Sequence, residues 1–219
     1  MLSPVDPARP PLSVIFGLSG YTLAADEHDF FRDVNPHGFI LFARNAHDPQ
    51  QLKDLTQSLK PCLGRDVPVL IDQEGGRVAR LRPPHWPAWP SARTAGDVAA
   101  YDLPLAIHNV DVINRAIAAT LRDAGINVNC TPVLDIYFDG VTHAAIGDRA
   151  FSGDPAIVSR LGEEVCRAHL AEGVIPVVKH MPGQGRANLD SHLALPVVPA
   201  GLAELESHDF APYRHILRQ

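Results

Sequence analysis

Short apolar runs alternate with longer amphipathic stretches along this chain. Residues 12–18 (LSVIFGL), 38–42 (GFILF), 67–71 (VPVLI), 128–134 and 174–178 read as five strands. They are apolar without alternation, the pattern of strands covered on both faces. Helical spacing fills the gaps. A short polar helix is expected at 26–34. Asp48-Pro49 forms an N-cap with proline at the first helical position, and Leu52, Leu55 and Leu59 follow on one face. In 105–124 the stripe is Val110, Ile113, Ile117 and Leu121, with Gly125 as the stop. Asp154-Pro155 opens another helix, with Val158, Leu161, Val165 and Ala168 inward and Gly173 ending it. The last helix is expected at 210–217. The Pro- and Trp-rich stretch 83–90 reads as a loop. Strands that alternate with helices predict parallel pairing and right-handed crossovers.

The polar residues gather just after the strands. Asp72-Gln73-Glu74-Gly75-Gly76-Arg77 with Arg80 follows the third. Asp135 follows the fourth, and Arg149 lies in the loop beyond it. Lys179-His180 and a Pro/Gly-rich loop carrying Asp190-Ser191-His192 follow the fifth. In an α/β barrel all of these would meet at the carboxyl-end mouth, where such folds build their active sites. Carboxylates and cationic donors that converge there suit a polyhydroxylated ligand, because each bonds pairs of hydroxyls. A histidine two residues from an aspartate suits a general acid near neutral pH.

Composition narrows the classes. The 219 residues carry a net charge of −6 with no basic stripe, so no nucleic-acid partner is expected. Cys62, Cys130 and Cys166 are far apart with no Cys-x-x-Cys pair, which fits a reducing compartment. No apolar run approaches the ~20 residues of a membrane span, and 1–11 lacks a basic-then-apolar signal. No membrane association and a cytoplasmic location are expected.

Four segments carry a resemblance: 72–78 (DQEGGRV), 132–136 (PVLDI), 146–151 (IGDRAF), and the 179–180 loop with Asp190-Ser191-His192. They resemble the N-terminal barrel of family 3 glycoside hydrolases, in the branch of bacterial β-N-acetylhexosaminidases of peptidoglycan recycling. The resemblance implies an α/β fold of the (β/α)8 TIM type, and about five of the eight β/α units are countable. Residues 1–219 are then the N-terminal part of the barrel domain. The implied reaction is retaining removal of terminal N-acetylglucosamine from muropeptides, with no cofactor and no metal. Asp72, Arg80, Arg149, Lys179 and His180 would bind the sugar. His192 would be the general acid and base, oriented by Asp190. Met181 and Gln184 stand where the family usually has Phe and His. The family's nucleophile, an aspartate in a Ser-Asp-Asp-type motif, has no counterpart in the sequence. The chain is therefore expected to hydrolyse poorly alone and, with open strand edges, to associate or loosen.

Other readings compete. A catalytically inactive remnant would bind sugar without cleaving it. A metal-dependent hydrolase would use Asp72, His180, Asp190 and His192, although no His-x-His or His-Glu-x-x-His spacing occurs. A Schiff-base aldolase would use Lys179. Glu74 is expected to be structural, bonding backbone N–H groups near its turn. Trp86 and Trp89 either stack on a sugar or pack on the barrel.

Overall fold

The computed structural model describes residues 9–142, 144–187, 189 and 193–218. Twelve main elements follow in order: β1 (Leu12–Gly17), α1 (Ala25–Val34), β2 (Pro36–Leu41), α2 (Pro49–Leu63), β3 (Val69–Ile71), α3 (Ala92–Ala99), α4 (Leu103–Asp123), β4 (Val128–Asn129), α5 (Pro155–Ala171), β5 (Ile175–Pro176), α6 (Leu202–Ser207) and α7 (Ala211–Ile216). All strand pairs are parallel, and the sheet order is β1-β2-β3-β4-β5. This is the five-unit α/β arrangement expected of an incomplete barrel. Among the described residues, no helix is long and apolar enough to cross a membrane.

The helix starts follow from their caps. The Asp48 carboxylate accepts from the Gln51 amide at 2.9 Å, Asp102 from Leu105 at 3.0 Å, and Asp154 from Ala156 at 2.7 Å. A proline follows each cap within the first two helical positions. Gly125 has φ +79°, and a Cβ there would lie 2.4 Å from Thr56 Oγ1, so only glycine ends α4 against α2.

The strands are shorter than the apolar runs that announce them. After β4 the Thr131 amide turns back onto Asn129 O at 2.9 Å, and Pro132 has no N–H to give. Pairing resumes where Leu134 donates to Lys179 O at 2.7 Å and Lys179 to Pro132 O at 3.1 Å. This second clasp fixes the start of the Lys179-His180 loop.

The expected two-sided coverage is met only in part. On one face of the central strands Phe39, Leu41, Val69 and Ile71 are buried, while Ile40 and Leu70 on the other face are half-buried, and Leu12 and Ile15 on β1 and Ile175 on β5 are exposed. Each margin strand pairs on one side only among the described residues, so it has fewer neighbours to cover it.

Two apolar clusters flank the sheet. One joins Leu52, Leu55 and Leu59 of α2 to Phe39, Ile71, Ile117 and Leu121. The other joins Val110 to Leu134, Ile136, Val158, Leu161 and Val165. The single stripe of α4 thus feeds both. Trp86 is buried in the first cluster with Trp89 packed against it, so the tryptophans serve packing.

Candidate active site

The turn after β3 is built around Gln73. Its backbone N–H donates to Asn129 Oδ1 and its carbonyl accepts from Asn129 Nδ2, both at 3.0 Å. Its side-chain oxygen accepts the Arg80 and Leu81 amides at 2.9 and 3.0 Å. Asn129 in turn donates to His169 Nε2 at 2.9 Å, and His169 Nδ1 donates to Val165 O at 3.0 Å. A buried polar chain therefore runs from α5 through β4 to the backbone of Arg80. Gly75 has φ +101°, and a Cβ there would meet Pro90 O at 2.3 Å, so glycine is required where the turn passes under the Pro-rich loop.

The charged groups form one continuous row. Arg80 Nη2 donates to Asp72 Oδ2 at 3.0 Å, and Lys179 Nζ donates to Asp72 Oδ1 at 2.7 Å. Lys179 also lies 2.6 Å from Glu74 Oε1. Arg149 grips Glu74 with two parallel bonds, Nη2 to Oε1 at 2.8 Å and Nε to Oε2 at 2.9 Å. Arg149 Nη2 also lies 3.2 Å from His180 Nε2, and His180 Nδ1 lies 2.6 Å from Asp135 Oδ2. The guanidinium can only donate, so Nε2 accepts and Nδ1 carries the hydrogen given to Asp135. The other oxygen of Asp135 accepts the Gln184 amide at 2.7 Å, so this buried carboxylate also holds the next loop.

Burial by itself would raise the Asp72 carboxyl. The hydrogen bonds and charges of Lys179 and Arg80 outweigh it and hold Asp72 below the usual carboxylate value. Burial likewise works against the Arg149 cation, but its Glu74 partner prevails and its pKa lies above the usual arginine value. Burial, reinforced by the Asp72 charge, pushes the Cys130 thiol up to about 11, so it is no nucleophile near neutral pH.

Asp72, Arg80, Arg149, Lys179 and His180 all line one cavity of about 290 Å³, together with Arg77, Val78 and Ala145. Five expected site residues, drawn from three strand ends, therefore meet. Arg80 Nε is buried with no hydrogen-bond partner among the described residues. Asp190 and His192, the expected general acid and its partner, lie outside the described residues. Met181 is exposed, so the methionine is not a packing substitute in that loop. The base of the loop is pinned by Arg186, which bonds Asp209 at 2.9 Å and stacks 4.1 Å over the Phe138 ring.

Glu74 is the principal correction. Its carboxylate bonds the Arg149 and Lys179 side chains rather than backbone N–H groups. The readable signal was its place two residues from Asp72, since positions i and i+2 of extended backbone face the same way. Lys179 Nζ is engaged by two carboxylates rather than open to a carbonyl. Among the described residues, no three His, Cys, Asp or Glu side chains cluster as a metal ion requires.

The comparisons with known proteins agree on one family. The model of the glycosyl hydrolase family 3 N-terminal domain matches residues 16–219. A beta-hexosaminidase of Bordetella avium (strain 197N) is 36% identical over 204 residues, covering 93% of this chain and 58% of that protein. Native NagZ from Neisseria gonorrhoeae superposes with a TM-score of 0.90 at 32% identity, covering 95% of this chain and 60% of that one. NagZ in complex with N-trifluoroacetyl-D-glucosamine gives the same TM-score and identity. The chain thus spans less than two thirds of the length of these relatives.

Proposed function

The chain belongs to glycosyl hydrolase family 3, and we propose that its row of paired charges is the sugar-binding part of a β-N-acetylhexosaminidase site. The observation that carries this reading is the convergence of Asp72, Arg80, Arg149, Lys179 and His180 on one cavity. An ionised Asp72 accepts hydrogen bonds from sugar hydroxyls, while Lys179 and Arg149 donate to their oxygens. The aminosugar analogue bound to the related NagZ supports N-acetylglucosamine as the ligand.

In this reading residues 1–219 are the N-terminal part of the barrel domain. His192 gives and takes the proton at the glycosidic oxygen, and Asp190 orients it. The carboxylates of Asp72, Glu74 and Asp135 are committed to cationic or imidazole partners, which suits binding and orientation better than forming a covalent glycosyl intermediate. The finer assignment is release of terminal N-acetylglucosamine from muropeptides during peptidoglycan recycling in the cytoplasm.

Calorimetric titration with N-acetylglucosamine tests the proposal. Saturable binding is expected, weakened at least about tenfold by Asp72→Asn, which removes a charged acceptor. Absence of saturable binding by the unaltered chain would overturn the assignment. Hydrolysis of an aryl N-acetylglucosaminide by the same sample separates cleavage from binding alone. Any turnover should fall about a hundredfold or more on His192→Ala.

A further inference from the structure

One guanidinium outside the row of paired charges gathers an unusual set of acceptors. Arg77 Nε donates to Asp148 Oδ1 at 2.8 Å. Its Nη2 lies 2.6, 2.7 and 3.2 Å from the carbonyl oxygens of Ala144, Ala145 and Ile146, so its two hydrogens are shared among three acceptors. These residues form the loop that leads into the short 3-10 turn Gly147–Arg149. Arg149 is the last residue of that turn, and its Nη1 donates to the same Ala145 carbonyl at 3.1 Å. Arg77 itself follows the Gly75-Gly76 turn after β3. It therefore ties the loop of one strand end to the loop of the next.

Resting on the sugar-site reading above, we propose that Arg77 is a positioning residue that sets the height of Arg149 over the cavity. The fork geometry matters. A planar guanidinium with fixed donors can satisfy a carboxylate on one edge and turn carbonyls on the other, whereas a lysine would supply charge at a single point. The side chains of Arg77 and Asp148 are nearly half exposed, so the contact carries little of the global stability. Its effect is local: the loop is seated on its apolar side by buried Ile146 and Ala150, and Arg77 holds its polar side, where Arg149 projects. With Arg77 removed, the carbonyls of 144–146 lose their shared donor, and on the polar side Arg149 is left to bond the loop, through its Nη1 to Ala145 O. Arg149 then samples positions away from its productive contact with the ligand.

The test uses the whole chain and three readouts: thermal midpoint, amide hydrogen exchange across 144–150, and N-acetylglucosamine titration. For Arg77→Met the expected result is faster exchange confined to that loop, a midpoint shifted by only a few degrees, and binding weakened about tenfold. Arg77→Lys should recover affinity and protection together and only in part, because a point charge cannot span both the carboxylate and the turn carbonyls. Asp148→Asn should fall between the unaltered chain and Arg77→Met, because the carbonyl contacts remain. Weaker binding with unchanged exchange would overturn the proposal, since Arg77 would then act by touching the sugar directly. Faster exchange with unchanged binding would also overturn it, because the loop would be held without affecting Arg149. If the unaltered chain binds no N-acetylglucosamine, the sugar-site reading fails. Positioning is then judged by exchange alone, and unaltered protection in Arg77→Met would defeat it.

Discussion

Glu74 is where the site and the stability of the protein meet, so Glu74→Gln is the most telling substitution. It keeps the shape and removes the charge. Two cations, Arg149 and Lys179, lose a partner whose side chain is only 6% exposed, and their own side chains are 13% and 14% exposed. Solvent cannot replace the lost charge at such depth. Removing one member of a buried ion pair costs about 3–5 kcal/mol, because the remaining charge is left uncompensated. Here Asp72 still faces Lys179, so the lower half of that range applies, about 3 kcal/mol. For a chain of this size each kcal/mol lowers the melting midpoint by roughly 2–4 °C, so a drop of roughly 6–12 °C is expected. Urea unfolding followed by circular dichroism gives the free-energy loss, and a thermal scan gives the midpoint. The double variant Glu74→Gln/Arg149→Met should be less destabilised than the sum of the singles, by about 1–3 kcal/mol. A loss under about 1 kcal/mol for Glu74→Gln, or strict additivity in the double variant, would refute the picture of a tightly paired row.

Two other outcomes follow from the geometry. The Asp72 carboxyl is held below its unfolded value, so its pairing adds stability above the unfolded pKa of 3.8 and loses it as pH falls through the lower folded value. The midpoint should therefore drop below about pH 4, and Asp72→Asn should flatten that slope; an unchanged slope in the variant would count against the pairing. Gly75→Ala should destabilise by about 1–3 kcal/mol or more, since φ is +101° and the new methyl meets Pro90 O at 2.3 Å. Near-equal melting midpoints for this variant and the unaltered chain would show that the turn can relax.

The order of strands and helices was legible from periodicity, and so were the caps at Asp48 and Asp154, because each uses local chemistry within three residues. The site residues Asp72, Arg80, Arg149, Lys179 and His180 were legible as a group from their places after the strands, and their individual roles only because their motifs recur in one family. Strand lengths were not legible. Apolar runs report burial, while pairing depends on where N–H groups are available, and Pro132 lacks one. The helix α3 escaped notice because it is only eight residues long, its apolar positions are mostly alanines, and it follows the Pro-rich loop. Glu74 was misjudged and Arg77 was given no role, for a shared reason. Their partners lie more than 65 positions away in sequence, and nothing local marks a side chain that reaches so far.

The linkage of Asp72, Lys179, Glu74, Arg149, His180 and Asp135 also bears on how a ligand is received. These groups steady one another before any guest arrives. Their rotational freedom was surrendered during folding, so association need not immobilise them afresh. A guest entering this cleft meets a rigid template, and its own stereochemistry, group by group, must conform to directions the protein has already chosen.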